Sequence, residues 1–263
     1  MYRTNLGFRR TFPSKDDFSE HIRVKKLEDW NVEYVKLSGG IGYWVADNPF
    51  YDDGMKLYRR LVRNFPIVGD TNYEECDDAN PFATIHLPGW CCIDLFNLFR
   101  EYFSDHFPDF RGVDYSEWGN LYFPEDYRPW DYFRLPHMDG PDGIVGNLWF
   151  TDHEPGTTGT MLYRYHGEIL RDSVDHHMYY EHQVNPDHPR FEDCKDLSKF
   201  KKRLPGLMPL TVEEETYWGF ERVGLAPAIK DKITFYSTEV SHTPFIDKTV
   251  GFRWSHAYQL TRL

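Results

Sequence analysis

The chain has 263 residues, 42 of them acidic and 30 basic, for a formal charge of -12. A chain of this length can bury a full core without disulfides or a structural metal. Its negative field repels phosphate backbones and anionic lipid, so neither nucleic acid nor a membrane is expected as a partner.

No apolar run approaches the roughly 20 residues that span a bilayer, and the opening MYRTNLGFRRTF has no apolar signal core, which gives the expectation of a cytoplasmic protein. Cys76, Cys91, Cys92 and Cys194 have no CxxC spacing and read as reduced thiols. Composition does not give the oligomeric state. Aromatic residues make up 17% of the chain, which points to a rigid, aromatic-lined interior.

In chain order, VEYVKL and IGYWVADNPF have the alternation and residue types of strands. YDDGMKLYRRLVRNFP places Met55, Leu57, Tyr58, Leu61, Val62 and Phe65 at helical spacing and stops at Pro66. GWCCIDLFNLFREYFSDHF predicts a second helix with a broad apolar face from Ile93 to Phe103, and both helices are expected to cover one side of a sheet. From Glu117 onward short strand-like runs are separated by Pro, Gly and Asp: NLYF, DYFRL, GIVGNLWF, GTMLYRY, KITFYS and GFRWSHAYQL. This rhythm predicts an antiparallel sandwich or barrel in place of a parallel sheet. The expected layout is a single domain over 1–263, with N-terminal strands and supporting helices in 1–116, a β core in 117–263 and an insertion at about 167–218.

The chemistry starts at RLPHMDGPDG. His137 and Asp139 lie two apart, so on a strand both would share a face, and an imidazole with a carboxylate is the start of a divalent iron site. A third ligand has to come from elsewhere, and His242 in the C-terminal run supplies it. Two histidines and one carboxylate leave the opposite positions of an octahedral ion open for a co-substrate and dioxygen. Arg253 and Ser255 alternate onto one face of the last strand, where a guanidinium and a hydroxyl suit a carboxylate.

Each residue also has a plainer reading: His137 as a turn histidine bonded to Asp139, His242 as a satisfied strand histidine, Arg253 as half of a salt bridge and Ser255 as a strand hydroxyl. Taken singly these are the better accounts; taken in order along the chain, coincidence is the poorer one. His256 should point away from Ser255 and is not a ligand. Tyr122, Asn147 and Tyr163 fall where they can hydrogen-bond a co-substrate, although Tyr and Trp residues on such strands are more often core.

The HxD of His137-Met138-Asp139, the distant His242 and the RxS of Arg253-Trp254-Ser255 resemble the pattern of the iron(II)- and 2-oxoglutarate-dependent oxygenase superfamily. LYFPEDYRPWDYFRLPHMDG looks like that family's aromatic strand and loop into HxD, and the likeness runs over roughly 40–165 and 230–263. The resemblance implies a mainly β fold with flanking helices (α+β) around a double-stranded β-helix, a cupin-like jelly roll. It implies iron(II) on His137, Asp139 and His242, and 2-oxoglutarate held at its far carboxylate by Arg253 and Ser255. Dioxygen and 2-oxoglutarate would then be consumed to oxidise an unactivated C–H bond, with hydroxylation as the default and desaturation or oxidative cyclisation as variants. Asp139 fills the position that family halogenases leave open for chloride, so halogenation is disfavoured.

The two histidines stand further apart than in compact members of such families, which marks 167–218 as an insertion. It reads as a lid or substrate wall over an amino-acid-like or natural-product substrate. Its histidines, His176, His177, His182 and His188 among them, match no metal spacing and read as a solvated acidic surface. The alternatives are a cupin-like metal enzyme that does not use 2-oxoglutarate, or a non-catalytic small-ligand module on the same fold.

Overall fold

A computed structural model describes residues 22–62, 82–85, 92–104, 113–122, 136, 138–139, 143–166, 215–216, 219–247, 249–250 and 253–262. Ten strands fall within them: β1 (Val32–Lys36), β2 (Gly42–Ala46), β3 (Phe82–Ile85), β4 (Val113–Tyr122), β5 (Gly143–Trp149), β6 (Thr158–Tyr165), β7 (Phe220–Pro227), β8 (Ile233–Ser237), β9 (Ser241–Ile246) and β10 (Arg253–Arg262). Two α-helices accompany them, α1 (Gly54–Val62) and α2 (Ile93–Phe103). The described part of the chain is therefore dominated by sheet, with flanking helices.

Seven strands make a large sheet in the order β1-β2-β8-β5-β10-β4-β3, and three make a small one in the order β7-β6-β9. Every paired strand runs antiparallel to its neighbour, as the strand rhythm predicts. β4 is one continuous strand from Val113, so it crosses the 116/117 boundary expected from the sequence.

Strand alternation sorts the large sheet into two faces. Ile144, Leu148, Phe235, Trp254, Tyr258 and Leu260 look outward into a core shared with the helices. Met55, Tyr58 and Val62 from α1 and Leu95, Phe96, Phe99 and Phe103 from α2 fill it, at the spacing of one helical face. Phe99 lies 5.1 Å from Phe235 and 5.3 Å from Tyr258, both edge to face, an arrangement the ring quadrupoles favour. Both helices thus cover one side of one sheet. Gly146 breaks this outward row because any side chain there would run into the Phe235 ring.

The other face looks toward the small sheet. Tyr43, Val145 and Tyr236 from the large sheet pack against Leu162 and Ala226 from the small one in a second, smaller core. β5, covered on both faces, is buried along its whole length. Val145, Asn147 and Trp149 on β5, Thr234 and Tyr236 on β8, and Arg253, Ser255 and Ala257 on β10 all alternate onto this inner face. Across from them stand Thr160 and Leu162 on β6 and His242 on β9.

Candidate active site

His242 sits on β9 opposite Leu162, buried at 4% exposure. Its Nδ1 donates to the Val240 carbonyl at 2.9 Å, and its Nε2 lies 3.2 Å from Asp139 Oδ2. A ring nitrogen committed to a carbonyl leaves the other one as a lone pair pointing where a cation is wanted. Burial alone would lower the His242 pKa, but the Asp139 carboxylate, its hydrogen bond and the Val240 carbonyl outweigh burial and hold it above the ordinary histidine value.

Asp139 belongs to no strand. Its N–H donates to the Thr238 carbonyl at 3.1 Å, and the Thr238 N–H donates to Gly143 at 2.9 Å, so the turn between β8 and β9 fixes the carboxylate beside the histidine. Two ligands on one ion at about 2.1 Å and a right angle are about 3 Å apart. The 3.2 Å separation of Nε2 and Oδ2 therefore fits neighbouring positions of an octahedral metal. His137 lies outside the described residues, and among the described residues no group of three His, Cys, Asp or Glu converges on one point.

Arg253 and Ser255 share the inner face of β10, and Ser255 stands opposite Trp149. Arg253 is 2% exposed; its Nη1 donates to the Gly159 carbonyl at 2.9 Å, and its guanidinium lies over the Trp149 ring at 4.6 Å. Trp149 is itself held by Nε1 donating to Thr234 Oγ1 at 2.9 Å. Ser255 is fully buried, and its Oγ has no hydrogen-bond partner among the described residues. A buried hydroxyl left without a partner costs about 1–3 kcal/mol, so beside a guanidinium it suits an anionic group supplied from outside.

Asn147 faces the same space and is buried, opposite Thr234. Tyr122 stands opposite Arg253 in the β4–β10 register. Tyr163 is placed elsewhere: it shares a face with Ser241, not with His242, and its hydroxyl donates to Glu215 Oε1 at 2.8 Å. Glu215, 1% exposed, also accepts from Arg222 Nε at 2.6 Å. Tyr163 thus belongs to a buried ion-pair network behind the small sheet. His256 faces away from Ser255, as strand alternation requires; its Nδ1 meets the Tyr58 hydroxyl at 2.7 Å in the helix-side core.

Sequence reasoning missed Tyr236. Its ring lies 4.6 Å from that of His242. Burial pushes its phenol pKa up and the Asp139 charge adds to this, against the nearby polar side chains of Thr160 and Asn147 and the Arg253 charge, so the group stays a neutral phenol. The signal was present in KITFYS, where alternation puts Tyr236 on the face of Thr234.

The arrangement pairs a carboxylate and an imidazole suited to a divalent cation with a cationic, hydroxyl-bearing pocket suited to a carboxylate. The chain is similar to several solved structures. One is HygX from Streptomyces hygroscopicus with nickel, 2-oxoglutarate and hygromycin B bound: 8% identity over 84% of this chain and 83% of that one, TM-score 0.47. A second is the non-haem α-ketoglutarate-dependent carbocyclase SnoK of nogalamycin biosynthesis, with 12% identity over 84% and 79% and TM-score 0.47. A third is a prolyl-4-hydroxylase from Pseudomonas putida, with 12% identity over 95% and 97% and TM-score 0.38. No protein-family model and no curated protein sequence matches the chain. Among the described residues no helix is long and apolar enough to cross a membrane.

Proposed function

We propose that the chain is a non-haem iron(II)- and 2-oxoglutarate-dependent oxygenase acting on a C–H bond of a small molecule, with hydroxylation as the default outcome. The observation that carries this is a pairing across two facing sheets. His242 Nε2, its tautomer set by Val240, faces Asp139 at 3.2 Å, while the buried Arg253 and the Ser255 hydroxyl, without a hydrogen-bond partner among the described residues, share the inner face of β10. A metal protein that did not use 2-oxoglutarate would have no use for that second group.

In this reading the two sheets belong to a double-stranded β-helix within a single domain. His242, Asp139 and His137 hold iron(II), which with dioxygen and 2-oxoglutarate supplies the oxidising power, 2-oxoglutarate leaving as succinate and carbon dioxide. The chain's own residues bind and orient. Arg253, braced by the Gly159 carbonyl and the Trp149 ring, receives the far carboxylate of 2-oxoglutarate with Ser255 as a further donor. The aromatic walls, Trp149 and Tyr236 foremost, exclude water. The acidic chain favours a substrate that carries an amine, amino-acid-like or a natural product.

Anaerobic addition of iron(II) and then 2-oxoglutarate tests this. A weak visible metal-to-ligand charge-transfer band that needs both is the expected result. Folded, iron-loaded protein with no such band would refute the reading, and iron uptake indifferent to 2-oxoglutarate would favour the cupin-like alternative.

A further inference from the structure

The inner face of β10 runs through Arg253, Ser255, Ala257 and Gln259, since Trp254, Tyr258 and Leu260 point into the helix-side core. Arg253, Ser255 and Ala257 are buried, whereas Gln259 is half-buried. This row is therefore closed at its carboxylate end and reached by solvent at the other.

The strand register places the metal pair toward that open end. Gln259 stands opposite Val145 on β5, and Val145 stands opposite Tyr236 on β8. The Tyr236 ring lies 4.6 Å from the ring of His242, whose Nε2 faces Asp139 at 3.2 Å. Gln259 thus shares one row of the large sheet with the residue that packs on His242, two strands away, or about 10 Å at the usual strand spacing. Asp139 is the more open member of the metal pair, its side chain 18% exposed against 5% for His242.

The co-substrate leaves this end of β10 free. 2-Oxoglutarate held at one end by Arg253 and Ser255 has its other end at Asp139 and His242, and so slants away from β10 toward the small sheet before it comes level with Gln259. Between Ser255 and Gln259 the face carries only the methyl group of Ala257, which leaves room beside the co-substrate. Among the described inner-face residues of β5, β8 and β10, Arg253 alone is charged. Gln259 adds an uncharged amide that both donates and accepts.

We propose that Gln259 is a specificity-determining residue at the seat of the primary substrate: its side chain stands beside the carbon that is oxidised, and its amide hydrogen-bonds an uncharged hydroxyl or amide of that substrate. This deepens the oxygenase reading and rests on it. A hydrocarbon side chain placed at this position takes the substrate's place and is itself oxidised. One oxygen atom of dioxygen enters a C–H bond of that side chain to give C–OH, the other enters succinate, and carbon dioxide leaves from 2-oxoglutarate.

The test incubates wild type, Gln259→Leu and Gln259→Phe with iron(II), 2-oxoglutarate and air, without another substrate, and locates added oxygen by peptide mass spectrometry. The substituted side chain should gain one oxygen atom in both variants, dependent on iron and 2-oxoglutarate, while Phe96 and Phe99 on the helix side stay unmodified. Leucine, close to glutamine in size, serves where phenylalanine does not fold. Anaerobic titration should find iron(II) and 2-oxoglutarate affinity unchanged in Gln259→Leu, since neither touches the amide. Acetamide and methylammonium then probe the amide's partner: acetamide should shift the charge-transfer band of loaded wild type and not that of Gln259→Leu, and methylammonium should shift neither. Folded, loaded variants whose substituted side chain takes up no oxygen would overturn the proposal. So would a loss of 2-oxoglutarate affinity in Gln259→Leu, which would put the residue in the co-substrate pocket, or a wild-type band that acetamide leaves unmoved or methylammonium shifts equally. Absence of the band in wild type would refute the oxygenase reading itself, a different outcome from a loaded variant that stays unmodified.

Discussion

His242 and His256 are both buried strand histidines, and their surroundings drive them in opposite directions. Asp139 and the Val240 carbonyl favour a charge on His242, whereas His256 lies in the helix-side core with Tyr58, Tyr258 and Cys92 as its polar company. Burial pushes the His256 pKa down to about 3. Above the ordinary histidine value of about 6.5 both folded and unfolded chains leave this ring neutral, so the fold loses nothing. As pH falls from about 6.5 toward 3 only the unfolded chain takes the proton, and stability drops by up to about 1.4 kcal/mol per pH unit. Denaturant unfolding at pH 7 and pH 4.5 should show a smaller acid loss in His256→Asn than in wild type; equal losses would mean that His256 is not held neutral. Tyr163 gives a second contrast. Tyr163→Phe should cost about 1–2 kcal/mol of stability through the buried Glu215 and leave 2-oxoglutarate affinity unchanged, whereas loss of that affinity would put Tyr163 back in the site.

At the scale of elements, Gly159 on β6 is a support for the pocket. Gly159 has φ +156, and a Cβ there would meet the Ala226 carbonyl on β7. Its own carbonyl is the one that Arg253 Nη1 reaches at 2.9 Å. Gly159→Val should therefore lower the thermal midpoint and weaken 2-oxoglutarate binding while sparing iron; a variant with unchanged midpoint and affinity would show that the glycine is dispensable. The strands legible in the sequence were those with clean alternation, among them β2, β5, β8 and β10, and both helices declared themselves through the spacing of Met55, Tyr58 and Val62 and of Leu95, Leu98 and Phe99. β7 and β9 were harder. GFERVGLAP and SHTPFI each carry a proline, which an edge strand tolerates and a central one does not, and both lie at the edges of the small sheet. His242 consequently sits within a strand of its own and not in a turn after β8. Arg253, Ser255 and Asn147 were legible because alternation alone assigns their face. The Tyr163–Glu215 contact joins distant stretches that no local pattern links. Of the insertion, 167–214 and 217–218 lie outside the described residues, but the chain leaves and returns at one place, where the His166 N–H donates to the Gly219 carbonyl at 2.8 Å.

For the molecule as a whole, the large sheet does two jobs with its two faces. Its outer face buries aromatic side chains against α1 and α2 and so stiffens the sheet, while its inner face presents Asn147, Trp149, Tyr236, Arg253 and Ser255 to the small sheet that carries His242. Rigidity on one side supports polar groups held ready on the other, and preorganisation of this kind is what an oxidation centre needs. The central claim is that the metal pair and the carboxylate pocket are separate parts of one centre. Anaerobic titration of His242→Ala and Arg253→Ala beside wild type addresses it most directly. His242→Ala should lose iron(II), and Arg253→Ala should keep iron(II) with wild-type affinity and bind 2-oxoglutarate at least tenfold more weakly, the scale of a charge-assisted pair. Wild-type iron affinity in His242→Ala, or unchanged 2-oxoglutarate affinity in Arg253→Ala, would contradict it.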